Sequence, residues 1–397
     1  MNHVLFQFLP GMTGADPLGW VLSIGTLIVF FVLYPRLMLM QIMGKLEKTA
    51  IELEELSRKA KMFITKEISP NPSKETQEAV SRFFEFFMVT PVDLDPAGIV
   101  KKFDHLLIQQ RDRFHYLVEQ LAPKKSSEEQ ANLEMGFAGG IAVHEIAKVV
   151  RHFVELTRKT KSYQFAYILS MQIPLIERMA KSFYKGTQAL AKGEPVGDGV
   201  GPLVAATLTG TNRITHVMDD IMLSRVKLKG RNLLVMKARG PGGRIGNPGH
   251  AVQKVMKVQK VHRIVTVDAA AKLEGEKTGS VAEGIGIAMG GIGVERSFIE
   301  DVVVVKKIPF DSIVVKMSSE EAITPMKKEI KDAVPKVMES LDRLLKQTKP
   351  NETILLFGVG NTSGIGDQGK DAKAAEKWVD EHHQKEQAKK KKRRNEA

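Results

Sequence analysis

Between Asp16 and Arg36 the chain runs nineteen residues, PLGWVLSIGTLIVFFVLYP, without a formal charge. A helix rises about 1.5 Å per residue, so this run is close to the length that crosses the hydrocarbon core of a bilayer. It predicts a single transmembrane helix over about 17–35, inside an N-terminal anchor of residues 1–44. Trp20 and Tyr34 fall near its two ends, where amphipathic rings favour the membrane boundary, and a proline such as Pro35 is tolerated there. Leu37 to Gly44 is again apolar, so the helix can run on while Arg36 reaches back toward headgroups. No Lys or Arg precedes the span, whereas Arg36, Lys45 and Lys48 follow it. Positive flanks mark the cytoplasmic side, so the expected location is the cell membrane, single-pass, with the N-terminus outside and the C-terminal bulk cytoplasmic. A signal peptide would want a basic leader and a small-residue cleavage site, and neither is present. A buried core helix is the alternative for the same composition.

The segment Lys45 to Lys66 has apolar residues at helical spacing, dense charges and no Gly or Pro, which reads as an amphipathic helix able to pack on its own domain or to pair in a homo-oligomer. A turn at Ser69–Ser73 leads into a phenylalanine-rich helix, and Thr90–Pro96 reads as an extended connector because residues before proline avoid the α region. Helices are expected at Gly98–Leu121, Ser127–Arg158 and Tyr163–Lys192, the last kinked or broken at Pro174. These make residues 45–192 a helical middle domain. His144, Glu145 and His152 are its only metal-like set, and the two histidines stand eight apart, beyond the spacing at which one helix offers two ligands together.

GEPVGDGVGP after Lys192 is a glycine-rich boundary. Residues 193–369 then read as a mostly parallel α/β domain, with strands at Leu233–Ala238, Arg263–Val267, Val302–Lys306, Ser312–Met317 and Thr353–Phe357. The Val302 and Ile313 strands could form a hairpin, and Ser319–Thr348 reads as one long helix containing Pro325 and Pro335. Leu203–Leu223 reads as largely helical, which would put His216, Asp219 and Asp220 on one face.

Glycine-rich turns follow three of these strands, and in open parallel sheets ligands sit outside the carboxyl ends of strands. Arg239–Gly249 precedes a helix start at His250, where free N–H groups and the helix dipole favour anions. Arg239, Gly242, Gly243, Arg244 and Asn247 are its anion-binding candidates, with Asn361 and Thr362 from GVGNTSGIGD after the last strand. It is neither a Walker A loop nor a dinucleotide fingerprint. The third stretch, Ile264 to Gly293, threads Asp268, Lys272, Glu274 and Glu276 between seven glycines. Asp268, Glu274 and Glu276 are oxygen ligands of the kind Mg2+ takes, and Lys272 and Asp268 are the catalytic candidates.

The N-terminal span, TPVDLDPAGIVKK, KLEGEKTGSVAEG and GVGNTSGIGD together resemble an archaeal membrane protein family known only as a domain of unknown function. LLFGVGNTSGIGD is also similar to the strand and G-x-G-N turn that opens hydrogenase-maturation peptidases. There an acidic residue follows the asparagine more closely and the motif begins the domain, whereas Asp367 lies six residues past Asn361. That resemblance implies only a peptidase-like α/β domain as an alternative.

The chain has no cysteine, which excludes disulfides, thiolate zinc sites and cysteine nucleophiles. Its net charge of +13 favours anionic partners, but six of the charges stand in the run Lys389 to Arg394, at the end of a charged helix and basic tail over 370–397. Such a run reads as a disordered tail able to meet a ribosome or anionic lipid. The expected function is a membrane-anchored protein whose α/β domain binds an anionic, phosphorylated small molecule, with Mg2+-dependent phosphoryl hydrolysis or transfer as the chemistry that set allows. The rival is a non-enzymatic adaptor docking a ribosome or membrane complex through its helical domain and tail.

Overall fold

The computed structural model describes residues 17–91 and 98–395, so most of the connector expected at Thr90–Pro96 lies outside the described residues. Five long helices come first: α1 (Pro17–Ile68), α2 (Lys74–Phe83), α3 (Ile99–Leu121), α4 (Ser127–Thr160) and α5 (Tyr163–Ala191). The apolar span and the amphipathic segment form one uninterrupted helix through Pro35, the continuation that the apolar run to Gly44 allowed, and α5 is not broken at Pro174 but continues through it.

The described chain forms two compact units, and α1, α4 and α5 contribute to both. One contains the residues up to Leu56 with His144–Ala180. Its core is Leu46, Ala50 and Leu53 of α1 against Val150 and Val154 of α4 and Ala166, Leu169 and Ile173 of α5. Arg151 ties the helices by reaching Glu54 at 2.6 Å and Glu47 at 2.7 Å, and Arg158 also reaches Glu47. Toward its start, α1 leaves large apolar side chains from Trp20 to Leu37 exposed, and by length and composition it is long and apolar enough to cross a membrane.

The other unit holds Ser57–Val143 and everything from Lys181 on. Its helical part is built on phenylalanines: Phe84 and Phe137 are buried, and Phe83 packs edge-on to Phe114 at 4.8 Å. A 3-10 turn (Gly197–Gly199) leads into α6 (Val200–Thr209), and the sheet domain follows in the order β1 (Ile214–Met218), β2 (Ile221–Leu228), β3 (Arg231–Ala238), α7 (Pro248–Val258), β4 (Arg263–Ala271), β5 (Val281–Ile285), α8 (Val294–Lys306), β6 (Phe310–Met317), α9 (Ser319–Ile323), α10 (Lys328–Lys331), α11 (Val334–Lys346), β7 (Thr353–Gly358) and α12 (Gly369–Asn395).

The seven strands lie in the order β1-β2-β3-β7-β4-β6-β5. β3, β7, β4 and β6 are parallel neighbours, while β1 and β2 on one side and β5 on the other pair antiparallel, so the sheet is mixed. Side chains alternate between its faces. Val265, Val267, Ile313 and Val315 meet α6, α11 and α12, whereas Ile264, Leu234 and Met236 meet α7 and α8.

Several local expectations are corrected. Leu203–Leu223 is helical only to Thr209; beyond it His216 lies in β1 and Asp219–Asp220 form the two-residue turn into β2. Val302–Lys306 is helix, not strand: in α8, Val294, Ile299 and Val303 fill one buried stripe and Val304 and Val305 point to solvent. The antiparallel neighbour of β6 is therefore β5, which the sequence reading lacked. The helix expected over Ser319–Thr348 is three pieces, because Pro325 stands just past the Thr324 cap of α9 and Pro335 is accommodated in the first turn of α11. The basic run is no loose tail. It prolongs α12, whose Ala372, Ala375 and Val379 are in the core, while Lys389 to Lys392 are exposed.

Candidate functional site

The loops after β3 and β7, expected to approach one rim, interlock. Thr362 is fully buried, donates its hydroxyl to the Gly242 carbonyl at 2.7 Å and accepts from Arg244 N at 3.1 Å. Gly364 N donates to the Pro241 carbonyl at 2.9 Å. Beneath them the fully buried Lys237 donates to Asp367 at 2.6 Å, and the same carboxylate oxygen accepts from Gly240 N at 2.8 Å. Burial pulls the Lys237 ammonium below its ordinary pKa against the opposing pull of Asp367.

The predicted anion-binding residues already hold an anion of this chain. Glu128, on the first turn of α4, accepts from the Arg244 guanidinium and from Gly242 N at 2.7 Å, and stands 3.5 Å from Arg239. Asn132 one turn on accepts from Gly243 N at 2.7 Å. Burial alone would lift the Glu128 carboxyl, but Arg244, Gly242 N–H and Arg239 outweigh it and hold it below the usual carboxylate range. Asn247 precedes α7 and accepts from Arg111 at 2.6 Å. Arg239 keeps a free capacity: its Nε is buried without a hydrogen-bond partner.

Asp268 lies near the carboxyl end of β4, buried, accepting from Ala269 N at 2.7 Å and from Gly290 N. Asp198, from the 3-10 turn before α6, accepts from Asn361 N at 2.8 Å at the carboxyl end of the neighbouring β7. Burial first, and the Asp198 charge second, push the Asp268 carboxyl up to about 8. Burial likewise raises Asp198, against the Asn361 N–H bond. The two carboxyls thus form a pair in which ionising one opposes ionising the other. Backbone contact sets the geometry: a methyl on Gly201 would strike the carbonyl oxygens of Val359 and Val267, so only glycine lets α6 start so close to both strand ends.

Asp268 pairs with Val314 of β6, and paired residues on adjacent strands share a face. Val314 lines a cavity of about 410 Å3 with Ser312, Gly286, Ala288, Arg296 and Glu300. The other members of the predicted set stand apart from the Asp pair. Lys272 is fixed by its backbone to the Met317 carbonyl at 2.9 Å; Glu276 caps its own turn through Leu273 N at 2.6 Å and faces Lys316 at 3.7 Å; Glu274 is exposed. The carboxyl that perturbs Asp268 is Asp198, not Glu274 or Glu276.

A third cluster was not anticipated. Asp104 of α3, His250 of α7 and Glu295 of α8 bring one ligand atom each within 4.8 Å of one another. His250 Nε2 is 3.5 Å from Asp104 and Nδ1 is 3.4 Å from Glu295, while Nδ1 is buried with no hydrogen bond. One imidazole and two carboxylates could hold a divalent transition metal rather than Mg2+, or equally hold the imidazolium between two acids. His144, Glu145 and His152 form no such group among the described residues.

Two family models match this chain. One, described as the N-terminal domain of a protein of unknown function, covers residues 20–193, and the other, the C-terminal domain of the same family, covers 196–366. The chain belongs to the DUF1512 family. No curated protein and no solved structure matches it. In this DUF1512 chain Asp198, Asp268 and Asn361 all fall within the C-terminal match. Glu128, Asn132, Asp104 and Arg111, which brace the rim, belong to the N-terminal match. Within the compact unit that holds Ser57–Val143 and Lys181 onward, residues of the N-terminal match are thus tied to the C-terminal match by the side chains that shape the candidate site.

Proposed function

We propose that this chain is a membrane-anchored, cytosol-facing protein whose sheet domain binds a divalent cation and, with it, a phosphorylated small molecule at the carboxyl ends of β4 and β7. The observation that carries the reading is the Asp198–Asp268 carboxyl pair at adjacent parallel strand ends. Two acids that repel each other, Asp268 buried and Asp198 partly so, gain most when a cation replaces their proton, which is how oxygen-ligand Mg2+ sites operate. Arg239, 3.5 Å from Glu128 and with an unpartnered Nε, is less committed than Arg244, whose guanidinium is hydrogen-bonded to Glu128, and is the arginine that would turn to a phosphate. With a metal in place, hydrolysis or transfer at a phosphoryl group is the chemistry the set allows.

The test is thermal unfolding of the detergent-solubilised full chain, with and without Mg2+, against nucleotides and phosphorylated metabolites. A ligand at a hundred times its dissociation constant adds roughly 2.7 kcal/mol. A rise in midpoint that disappears in Asp268→Asn supports the site. No rise in a folded protein sinks it and favours the adaptor reading, which draws on the exposed lysines at the end of α12 and predicts co-sedimentation with ribosomes or anionic vesicles.

A further inference from the structure

In the unit that contains the apolar start of α1, the hairpin of α4 and α5 reaches the height at which the uncharged run ends. Arg158 and Arg151 of α4 both reach Glu47 of α1 and Arg151 also reaches Glu54, so α4 runs antiparallel to α1. α5 turns back after Lys161, which takes a left-handed φ of 52°, and lies along α1 with Thr49 Oγ1 donating to Glu177 at 3.0 Å. Counting back from that contact at about 1.5 Å per residue on both helices, Lys161–Tyr163 stand level with Leu33–Pro35 of α1, and Tyr167–Met171 with Leu39–Met43.

The side of α5 turned away from the core is apolar there. Ala166, Leu169 and Ile173 are buried, whereas Tyr167, Ile168, Met171 and Leu175 are 44–60 % exposed on one continuous stripe. Tyr163 and Tyr167 stack at 6.2 Å, and Lys159, Lys161 and Arg36 are exposed at the same height. Tyrosine and aliphatic side chains backed by lysines are the composition that a bilayer's interfacial layer accepts, the rings at headgroup depth and the ammonium groups against anionic lipid.

We infer that the α4–α5 hairpin is a second membrane contact: its tip and the Tyr167–Leu175 stripe rest in the interfacial layer of the bilayer that α1 crosses. The occupant is lipid because the stripe lies where the span emerges and carries charge suited to anionic headgroups. The inference rests on α1 being a membrane span.

The chain lacks cysteine, so single labels can be placed cleanly. Phe30→Cys, Ile168→Cys, Met171→Cys and Lys373→Cys, all at surface positions, would each carry an environment-sensitive fluorophore on the full chain in phosphatidylcholine–phosphatidylglycerol liposomes. Lipids spin-labelled at the headgroup or deep in the acyl chain serve as quenchers. Position 30 should lose emission to the deep quencher, 168 and 171 to the headgroup quencher, and 373 to neither. Quenching at 30 with 168 and 171 behaving like 373 overturns the hairpin contact and leaves the span standing. No quenching at 30 overturns both. If 168 and 171 are shielded from aqueous iodide yet untouched by lipid quenchers, a second copy of the chain covers the stripe, and the lipid contact is again overturned.

Discussion

Glu128 Oε2 accepts both from the Arg244 guanidinium and from the Gly242 N–H, so a glycine loop shaped to hold an anion is filled by a carboxylate from a helix about a hundred residues earlier. The loop's charge is spent on assembly: Arg244 and Arg239 both face Glu128.

Glu128→Ala strips the partner from Arg244, which is only 9 % exposed. Because Glu128 itself keeps some solvent contact, the expected loss is about 2 kcal/mol, below that of a fully buried pair. Urea unfolding measures it, and the Glu128→Ala/Arg244→Ala double variant should lose less than the sum of the single losses.

Asp268 makes stability depend on pH in a defined direction. Its folded pKa of about 8 lies above its ordinary value of 3.8, so between those values the folded chain holds a proton that the unfolded chain has released. This group's contribution is fully present below the ordinary value and is lost as pH rises to about 8. Asp268→Asn should therefore be more stable than the natural chain at pH 9, with the advantage shrinking toward pH 5. Equal pH profiles for the two proteins would contradict this.

Gly201→Ala places a methyl against the backbone oxygens of both Val359 and Val267. Backbone cannot rotate aside as a side chain can, so α6 must shift away from the sheet. We expect a loss above about 2 kcal/mol and a weaker Asp198–Asn361 contact, read by unfolding and by faster amide exchange at Asn361.

Ending the chain after Ala388 should leave the melting midpoint unchanged, since Lys389 to Lys392 are exposed. Ending it after Gln368 removes Ala372, Ala375 and Val379 from the core and should give an aggregating product. Light scattering separates the two.

Much of the scaffold was readable because it obeys one period at a time. The uncharged span, the amphipathic helices and the apolar runs at 233–238, 263–267, 312–317 and 353–357 lie within elements of the expected type. The misses have physical causes. Val302–Val305 has strand propensity, but only Val303 of the four is buried, and packing decided for helix. In ITHVMDDIMLSRV the helical spacing of His216, Asp219 and Asp220 hid a hairpin whose two-residue turn is Asp219–Asp220. At the site, the glycine loops were visible but their partners were not, since Glu128 and Asn132 are ordinary residues on an early helix. Asp198 did leave a trace: a lone acid among glycines, directly before the wholly apolar start of α6, is an unusual composition for a linker.

β7 stands between β3 and β4, hydrogen-bonded to both, although it is the last strand of the sheet in sequence. On the ribosome, then, β1–β3 and β4–β6 emerge as two fragments, each with a raw parallel edge and no way to close on the other. They must wait until residues 353–358 clear the exit tunnel. During that interval both edges are open to pairing with neighbouring chains, so the half-made protein is most exposed to aggregation just before its last strand is synthesised.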